Sequence, residues 1–259
     1  MAIPLEAVAR DKAIQQSIST LAGEAATRAL PDLSTLPQQQ AGGVIRAVTE
    51  GVVTTFGNTA TLAAASSYDT MSLAALDALI LDNGAKGIPN SLEILNARAA
   101  LVRQSGYVGK PIKTAGRVKA TVEPIVGRSM QKFSQGQFVE AGGVLSDSIM
   151  RAISNIYRET IVTNAAADPR AQGYQRVAGP GACSFCLTVA LNQYTSFDSG
   201  GGYHDNCGCS TVPIFNGMNP VRPSYYDTFE EQYKQGTIDA QSSDATEIFA
   251  AIRQATGRR

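Results

Sequence analysis

Apolar residues recur every three to five positions from residue 5 to residue 30, at Leu5, Val8, Ala9, Ile14, Ile18, Leu21, Ala25 and Ala26. That spacing predicts an amphipathic helix, and Pro31 closes it. The stretch LPDLSTLPQQQAGG reads as a linker by its prolines, glutamines and glycines, and a second helical stretch runs from Val44 to about Tyr68, broken or bent at Gly57. A third helix starts near Ser72, with Leu73, Leu76, Leu79, Ile80 and Leu81, and ends at the turn formers Asn83, Gly84 and Pro89. Ser91 is the predicted N-cap of a further helix, SLEILNARAALVRQ. The clearest amphipathic stripe lies between Val144 and Thr163, where Leu145, Ile149, Ala152, Ile153, Ile156, Tyr157 and Ile161 fall at three- and four-residue steps.

After that stripe the pattern changes. Residues 173–177 and 210–215 read as short strands, and Ala245 to Thr256 as a final helix. The expected fold is therefore mainly α, with a small C-terminal α+β zinc-knuckle module whose short strands flank a Cys/His cluster. Four parts follow: residues 1–40, an N-terminal helix and linker; 41–172, a helical region; 173–217, the cysteine module; 218–259, a tail with the final helix.

Composition agrees with this picture. The 259 residues suffice for a substantial core, and aromatic residues are only 7% with no Trp, which suits close-packed helices. Lys plus Arg and Asp plus Glu both number 22, so bulk charge names no partner. Residues 1–16 carry charges where an export signal would be apolar. The longest uncharged stretch, residues 51–68, is about half Thr, Ser, Asn and Gly, too polar for a membrane span. A soluble protein made in a reducing cytoplasm is the expectation, with no membrane partner.

Charge is uneven in one segment. Over residues 103–132, Arg103, Lys110, Lys113, Arg117, Lys119, Arg128 and Lys132 face only Glu123. One reading is a solvated face balanced by acids elsewhere in the fold. The other is a contact with phosphate backbones, without sequence readout because no aromatics are interleaved for base stacking.

All four cysteines stand between Cys183 and Cys209, as C-S-F-C followed after seventeen residues by H-D-N-C-G-C, and the chain's one histidine is in the second cluster. Two short clusters of thiol and imidazole donors suit tetrahedral zinc in a structural role. Four of Cys183, Cys186, His204, Cys207 and Cys209 would be ligands: Cys183, Cys186 and His204 with Cys207 or Cys209, or four thiolates with His204 outside the first shell. A pair of disulfides is the bland alternative. A zinc finger that reads bases would carry a basic recognition helix, whereas the nearby LTVALNQ is uncharged. A lone histidine inside the cluster leaves no imidazole for a hydrolytic triad if metal holds it, and no catalytic residue is assigned. Asp198 and Asp205 read as turn formers, and Gly200 to Gly202 as a lead into the ligand turn.

The runs RETIVTNAAADPRAQGYQRVAGPGACSFCLTVA and GGGYHDNCGCSTVPIFNG resemble the MuF-like minor capsid (head morphogenesis) proteins of tailed bacteriophages, especially phages of actinobacteria. In that family a strand leads to C-x-x-C, and H-x-x-C-x-C precedes a short strand with a proline, here Cys183, Cys186, His204, Cys207, Cys209 and Pro213. The upstream AVTEGVVTTFGNTATLAAASSYDTM is similar to a family segment with a Tyr-Asp pair, here Tyr68 and Asp69. The resemblance covers roughly residues 40–217. It implies a structural, non-enzymatic virion component inside the capsid, in multiple copies, with the portal or major capsid protein as partner; a non-specific contact of residues 103–132 with packaged DNA is compatible with that reading. Some family members carry a C-terminal toxin domain, for which the residues after the second strand are too few by usual domain sizes. Relatives labelled capsid maturation proteases supply the second hypothesis, in which a Ser-Lys dyad is the chemistry left open.

Overall fold

A computed structural model describes residues 2–84, 107–179, 182–192, 208–242 and 244–256. Among these residues it is mainly helical, with seven α-helices and one two-stranded sheet: α1 (Leu5–Ala29), α2 (Gln38–Gly84), α3 (Ala115–Ser134), α4 (Phe138–Ala167), β1 (Ala171–Val177), α5 (Ser184–Asn192), β2 (Ser210–Phe215), α6 (Tyr225–Ala240) and α7 (Ala245–Thr256). The helix expected from Ser91 lies outside the described residues.

Helix α1 follows Pro4, with Glu6 in its first turn and Arg28 in its last, matching the signs of the helix dipole. It stops at Leu30, which is extended ahead of Pro31. The linker expected next is short: a 3-10 turn at Leu33–Thr35, capped by the Asp32 carboxylate, leads straight into α2 at Gln38. Helix α2 corrects the expectation of separate helices broken at Gly57. Its 47 residues are continuous, roughly 70 Å at 1.5 Å per residue.

Gly57 serves close packing. A Cβ there would stand 3.3 Å from Ile156 Cδ1 and 3.8 Å from Thr114 Cγ2, so α4 and the chain entering α3 approach the α2 backbone. That approach offsets the roughly 1 kcal/mol of lost helix propensity. The threonines that made this region look irregular return their hydroxyls to their own helix: Thr49 donates to the Ile45 carbonyl at 2.6 Å and Thr61 to Asn58 at 2.9 Å, and both are buried.

Helix α3 holds Pro124 in its interior, yet buries Val122, Ile125, Val126, Ser129 and Phe133 along one face. It ends in a Schellman turn: the Gly136 N–H donates to the Phe133 carbonyl at 2.9 Å and Gln137 N–H to Lys132 at 3.1 Å, with Gly136 at φ +74°. This turn makes α3 and α4 an antiparallel hairpin.

Helix α4 is the centre of the molecule. It packs on α1, α2 and α3, and α2 packs also on α1 and α3. Its buried stripe contains every residue of the sequence-predicted one and runs on to Asn164 and Ala165. Leu145, Ile149, Ile153 and Ile161 are fully buried, each contributing about 2 kcal/mol by removal from water.

β1 and β2 pair antiparallel, from Ala171 opposite Phe215 to Val177 opposite Ser210, with an irregularity between Ala171 and Gly173. Pro213, which has no N–H to donate, is accommodated opposite Tyr174 in this two-stranded ribbon. The sheet lies on α4, β2 also touches α1 and α2, and every residue of β2 is buried. Beyond the sheet, α5, α6 and α7 pack on one another around a second, smaller apolar cluster.

Candidate metal centre and basic groove

Cys183 and Cys186 stand at the start of α5, where the Cys186 N–H points at the Cys183 sulfur, 3.4 Å away. An amide aimed at sulfur is the local geometry expected of a C-x-x-C ligand turn, and it also caps the helix. Cys209 precedes β2. Cys186 and Cys209 are buried in the smaller cluster with Leu187, Ala190, Tyr226, Phe229, Ile248 and Ile252, and Cys183 packs against it. No disulfide joins these three cysteines to one another. His204 and Cys207 lie outside the described residues, as do Asp198, Gly200 to Gly202 and Asp205. Among the described residues no three His, Cys, Asp or Glu side chains are gathered tightly enough to hold a metal ion.

Five residues that the sequence did not single out, Arg158, Gln15, Tyr225, Tyr226 and Gln175, fix the cysteine-bearing segments and the strands beside them. Arg158 of α4 is buried and donates through Nε to the Cys209 carbonyl at 3.1 Å and through Nη1 to Asn155 Oδ1 at 3.1 Å. With its amide oxygen turned to the guanidinium, Gln15 accepts from Nε at 3.2 Å and Nη2 at 2.9 Å. At the end of β1, the Ala178 N–H donates to the Tyr226 hydroxyl at 2.8 Å, and the Tyr225 hydroxyl donates to the Ala178 carbonyl at 2.5 Å. Burial pushes both phenols up. Gln175 reaches out of β1 to the backbone of Val221, donating to its carbonyl at 2.8 Å and accepting its N–H. A sequence signal existed for Arg158 alone: it is a charge set inside an apolar stripe, between Tyr157 and Ile161.

Two polar clusters tie these pieces to the bundle. Tyr157 donates to Asp11 Oδ1 at 2.7 Å, with Ser67 Oγ 2.6 Å from the same hydroxyl. Burial pushes the Asp11 carboxyl up to about 6, against the hydrogen bonds of Tyr157 and Ser67 and the charge of Arg158. In the second cluster, Tyr68 donates to Asp168 Oδ2 at 2.9 Å, and Arg170 forks onto both oxygens of that carboxylate at 2.9 and 2.7 Å. Burial works to raise Asp168, but the bonds from Arg170 and Tyr68 outweigh it and hold the carboxyl below its usual range. Asn164 accepts from the Tyr107 hydroxyl at 2.7 Å and the Lys110 N–H at 2.6 Å, and donates to the Lys110 and Thr160 carbonyls. Asp69 accepts the Gly109 N–H at 2.7 Å. Tyr68 thus meets the run that precedes the cysteines, a hundred positions away at Asp168, while Asp69 holds Gly109 on the approach to α3.

The basic segment is divided by the fold. Arg103 lies outside the described residues. Lys110 and Lys113 are exposed on the extended approach to α3, and Lys110 Nζ stands 6.0 Å from the Tyr107 ring. Lys119 is exposed, and Lys132 donates to Gln137 Oε1 at 3.2 Å. Glu123, the segment's one acid, pairs instead with Arg46 of α2. Arg117 pairs with Glu159 of α4, whose carboxyl burial pushes up against the charge of Arg117. Arg117 and Arg128 line a groove of about 290 Å³ between α3 and α4, together with Arg151, which the sequence had not flagged. The fold therefore balances part of the charge and gathers part of it.

The chain matches the family model VG15 protein over residues 96–236, more than half its length, and belongs to that family of phage and viral proteins. No curated protein and no solved structure matches it.

Proposed function

We propose that this phage-family protein is a minor structural component of a tailed bacteriophage head, carried inside the capsid in multiple copies against the portal or the major capsid protein. The observation that carries the reading is the family match, which spans the cysteine module; within that module Cys186 and Cys209 are buried in one small apolar cluster and Cys183 packs against it. The donor chemistry fits zinc: soft sulfur ligands, one of them with a backbone amide aimed at it. Cys183, Cys186 and His204, with Cys209 or Cys207, would hold the ion. When bound, zinc supplies a rigid tetrahedral cross-link. The chain's own residues do the rest: Arg158 fixes the Cys209 carbonyl, and Tyr225 and Tyr226 fix Ala178. The role is mechanical, with the bundle and module offering surfaces to a neighbour and no catalytic step assigned.

The test joins two measurements. Mass spectrometry of purified virions should find the chain in intact heads. Metal analysis of the reduced protein should find one zinc per chain, lost in Cys183→Ser and His204→Ala while the helical signal of the bundle persists. Chelation should then expose residues 173–217 to amide exchange first. Absence from virions, together with cleavage of capsid protein by the purified chain, would replace this reading with a maturation protease.

A further inference from the structure

Where the end of α1 and the 3-10 turn meet the first turns of α4, the surface holds a recess of about 720 Å³. Leu30, Phe138 and Val139 give it apolar walls, and Val139 is 87% exposed, more than any other large apolar side chain among the described residues. The backbone of α4 is bare on this side. A Cβ on Gly143 would meet nothing beyond its own helix within 4 Å, and one on Gly142 only Leu30 Cδ1 at 3.9 Å. Three carboxylates, Asp32, Glu140 and Asp147, share the lining, and among the described residues no Lys or Arg does. An open apolar recess rimmed by one sign of charge fits an occupant whose apolar side chain is flanked by cations.

The chain presents that chemistry itself, at the opposite end of α4. Val108, 59% exposed, is followed by the exposed Lys110 and Lys113 on the extended approach to α3. This strip is held in place before any partner arrives: Asp69 accepts the Gly109 N–H, and Asn164 accepts the Lys110 N–H and donates to the Lys110 carbonyl. Docking a segment already so ordered costs little conformational entropy. From Val139 to Asn164 is roughly 38 Å along α4, so the strip and the recess of one chain do not meet. We infer that they join two copies, the recess of one protomer taking the strip 108–113 of its partner. Recess against recess would set three carboxylates of one copy against three of the other, and like charges brought together oppose association. The contact is therefore head-to-tail and repeats, closing into a ring or continuing as an open row. It stands on these two surfaces and not on the head reading above.

Sedimentation velocity of the full chain, over a range of concentrations and at two salt concentrations, reads the assembly. Wild type should associate as concentration rises and come apart as salt is added. Gly143→Leu fills the recess without changing a charge, and its Cβ has open space, so it should fold as well as wild type and weaken association about tenfold or more. Lys110→Glu with Lys113→Glu should do the same from the other side. Mixed in equal amounts, these two variants should form a dimer that grows no further, because each keeps one intact surface and they are complementary. Carbodiimide coupling of assembled wild type should join Lys110 or Lys113 to Glu140 or Asp147, and the length of α4 makes any such amide a link between copies. A wild type that stays monomeric at low salt overturns the proposal, as does assembly that Gly143→Leu leaves unchanged. A mixture that forms no dimer overturns the head-to-tail contact. Monomeric wild type that binds an oligolysine peptide, with Gly143→Leu losing it, would give the recess to a basic segment of another protein instead. Should a variant misfold, the coupling decides, and no lysine–carboxylate link in assembled wild type rejects the contact. Assembly by a chain absent from virions would leave this contact standing without the head reading, and a monomer present in virions would do the reverse.

Discussion

In the bundle, the buried face of α4 meets three other helices through long aliphatic side chains, Leu145, Ile149, Ile153 and Ile161 among them. Around the cysteines the buried set among the described residues is Ala178, Cys186, Leu187, Ala190, Cys209, Tyr226, Phe229, Ile248 and Ile252. The first region has apolar area to spare, whereas the second relies on directed bonds that pin single backbone groups: Arg158 on Cys209, Tyr226 and Tyr225 on Ala178, Gln175 on Val221. Small cores are where cross-links and polar clamps count most, because buried area falls faster than chain length. By that contrast, a cross-link such as the proposed zinc would add more to this region than to the bundle.

The largest break in the contrast should come from Arg158→Ala. It strips the donor from the Cys209 carbonyl and the cation from Asp11, both buried, and should cost about 3–5 kcal/mol. Denaturant titration of the full chain measures the loss, and maleimide labelling of Cys209 should quicken as the β2 approach loosens. An unchanged labelling rate would mean that Arg158 serves the bundle alone.

A second, smaller effect is expected from Asp11. Its folded pKa of about 6 lies above the ordinary value of 3.8, so the fold prefers the protonated form. That contribution is fully present below pH 3.8 and is lost as pH rises through 6, amounting to about 3 kcal/mol. Asp11→Asn should remove this slope, so that wild type loses stability relative to the variant between about pH 4 and 6. A constant difference across that window would mean that Asp11 stays charged throughout. Asp168, held low by Arg170 and Tyr68, acts with the opposite sign, favouring the fold above its unfolded pKa and ceasing to do so in acid, which is why the comparison is with the variant.

The smallest effect should come from Tyr226→Phe. The ring stays in the cluster, but the buried Ala178 N–H loses its acceptor, for about 1–2 kcal/mol. Amide exchange at Ala178 should rise well above that at Tyr174 on the same strand, and equal rises along β1 would mean that the hydroxyl acts on the whole sheet.

Much of this architecture was legible as pattern. The stripe of α4, the extent of α1, both strands and the limits of α7 follow from three- and four-residue or two-residue periodicity, because those periods are local properties of the chain. The α1 stripe is a correction, since Leu5, Ala9 and Leu21 are exposed and the buried face carries Asp11, Gln15, Ser19 and Ala22 beside Val8 and Ala26. Helices α3 and α6 escaped for a local reason too. In α3, Pro124 and flanking glycines interrupt a stripe of Val122, Ile125, Val126 and Phe133, and in α6 only Tyr226, Phe229 and Gly236 are buried. The continuity of α2 through Gly57 was decided by packing against Ile156 and Thr114, a contact no local pattern contains.

The sequence by itself determined the class, mainly helical with a two-stranded insertion, and placed the thiol donors in two tight clusters. Tertiary structure alone decided which side chains stand together: Arg158 beneath Cys209, Tyr68 on Asp168, and Arg151 beside Arg117 and Arg128. The physical reason is one of range. Periodicity reports which face of an element turns inward, but the partner it meets there is set by how whole helices cross, and a buried charge or orphaned donor has meaning only once that partner is known.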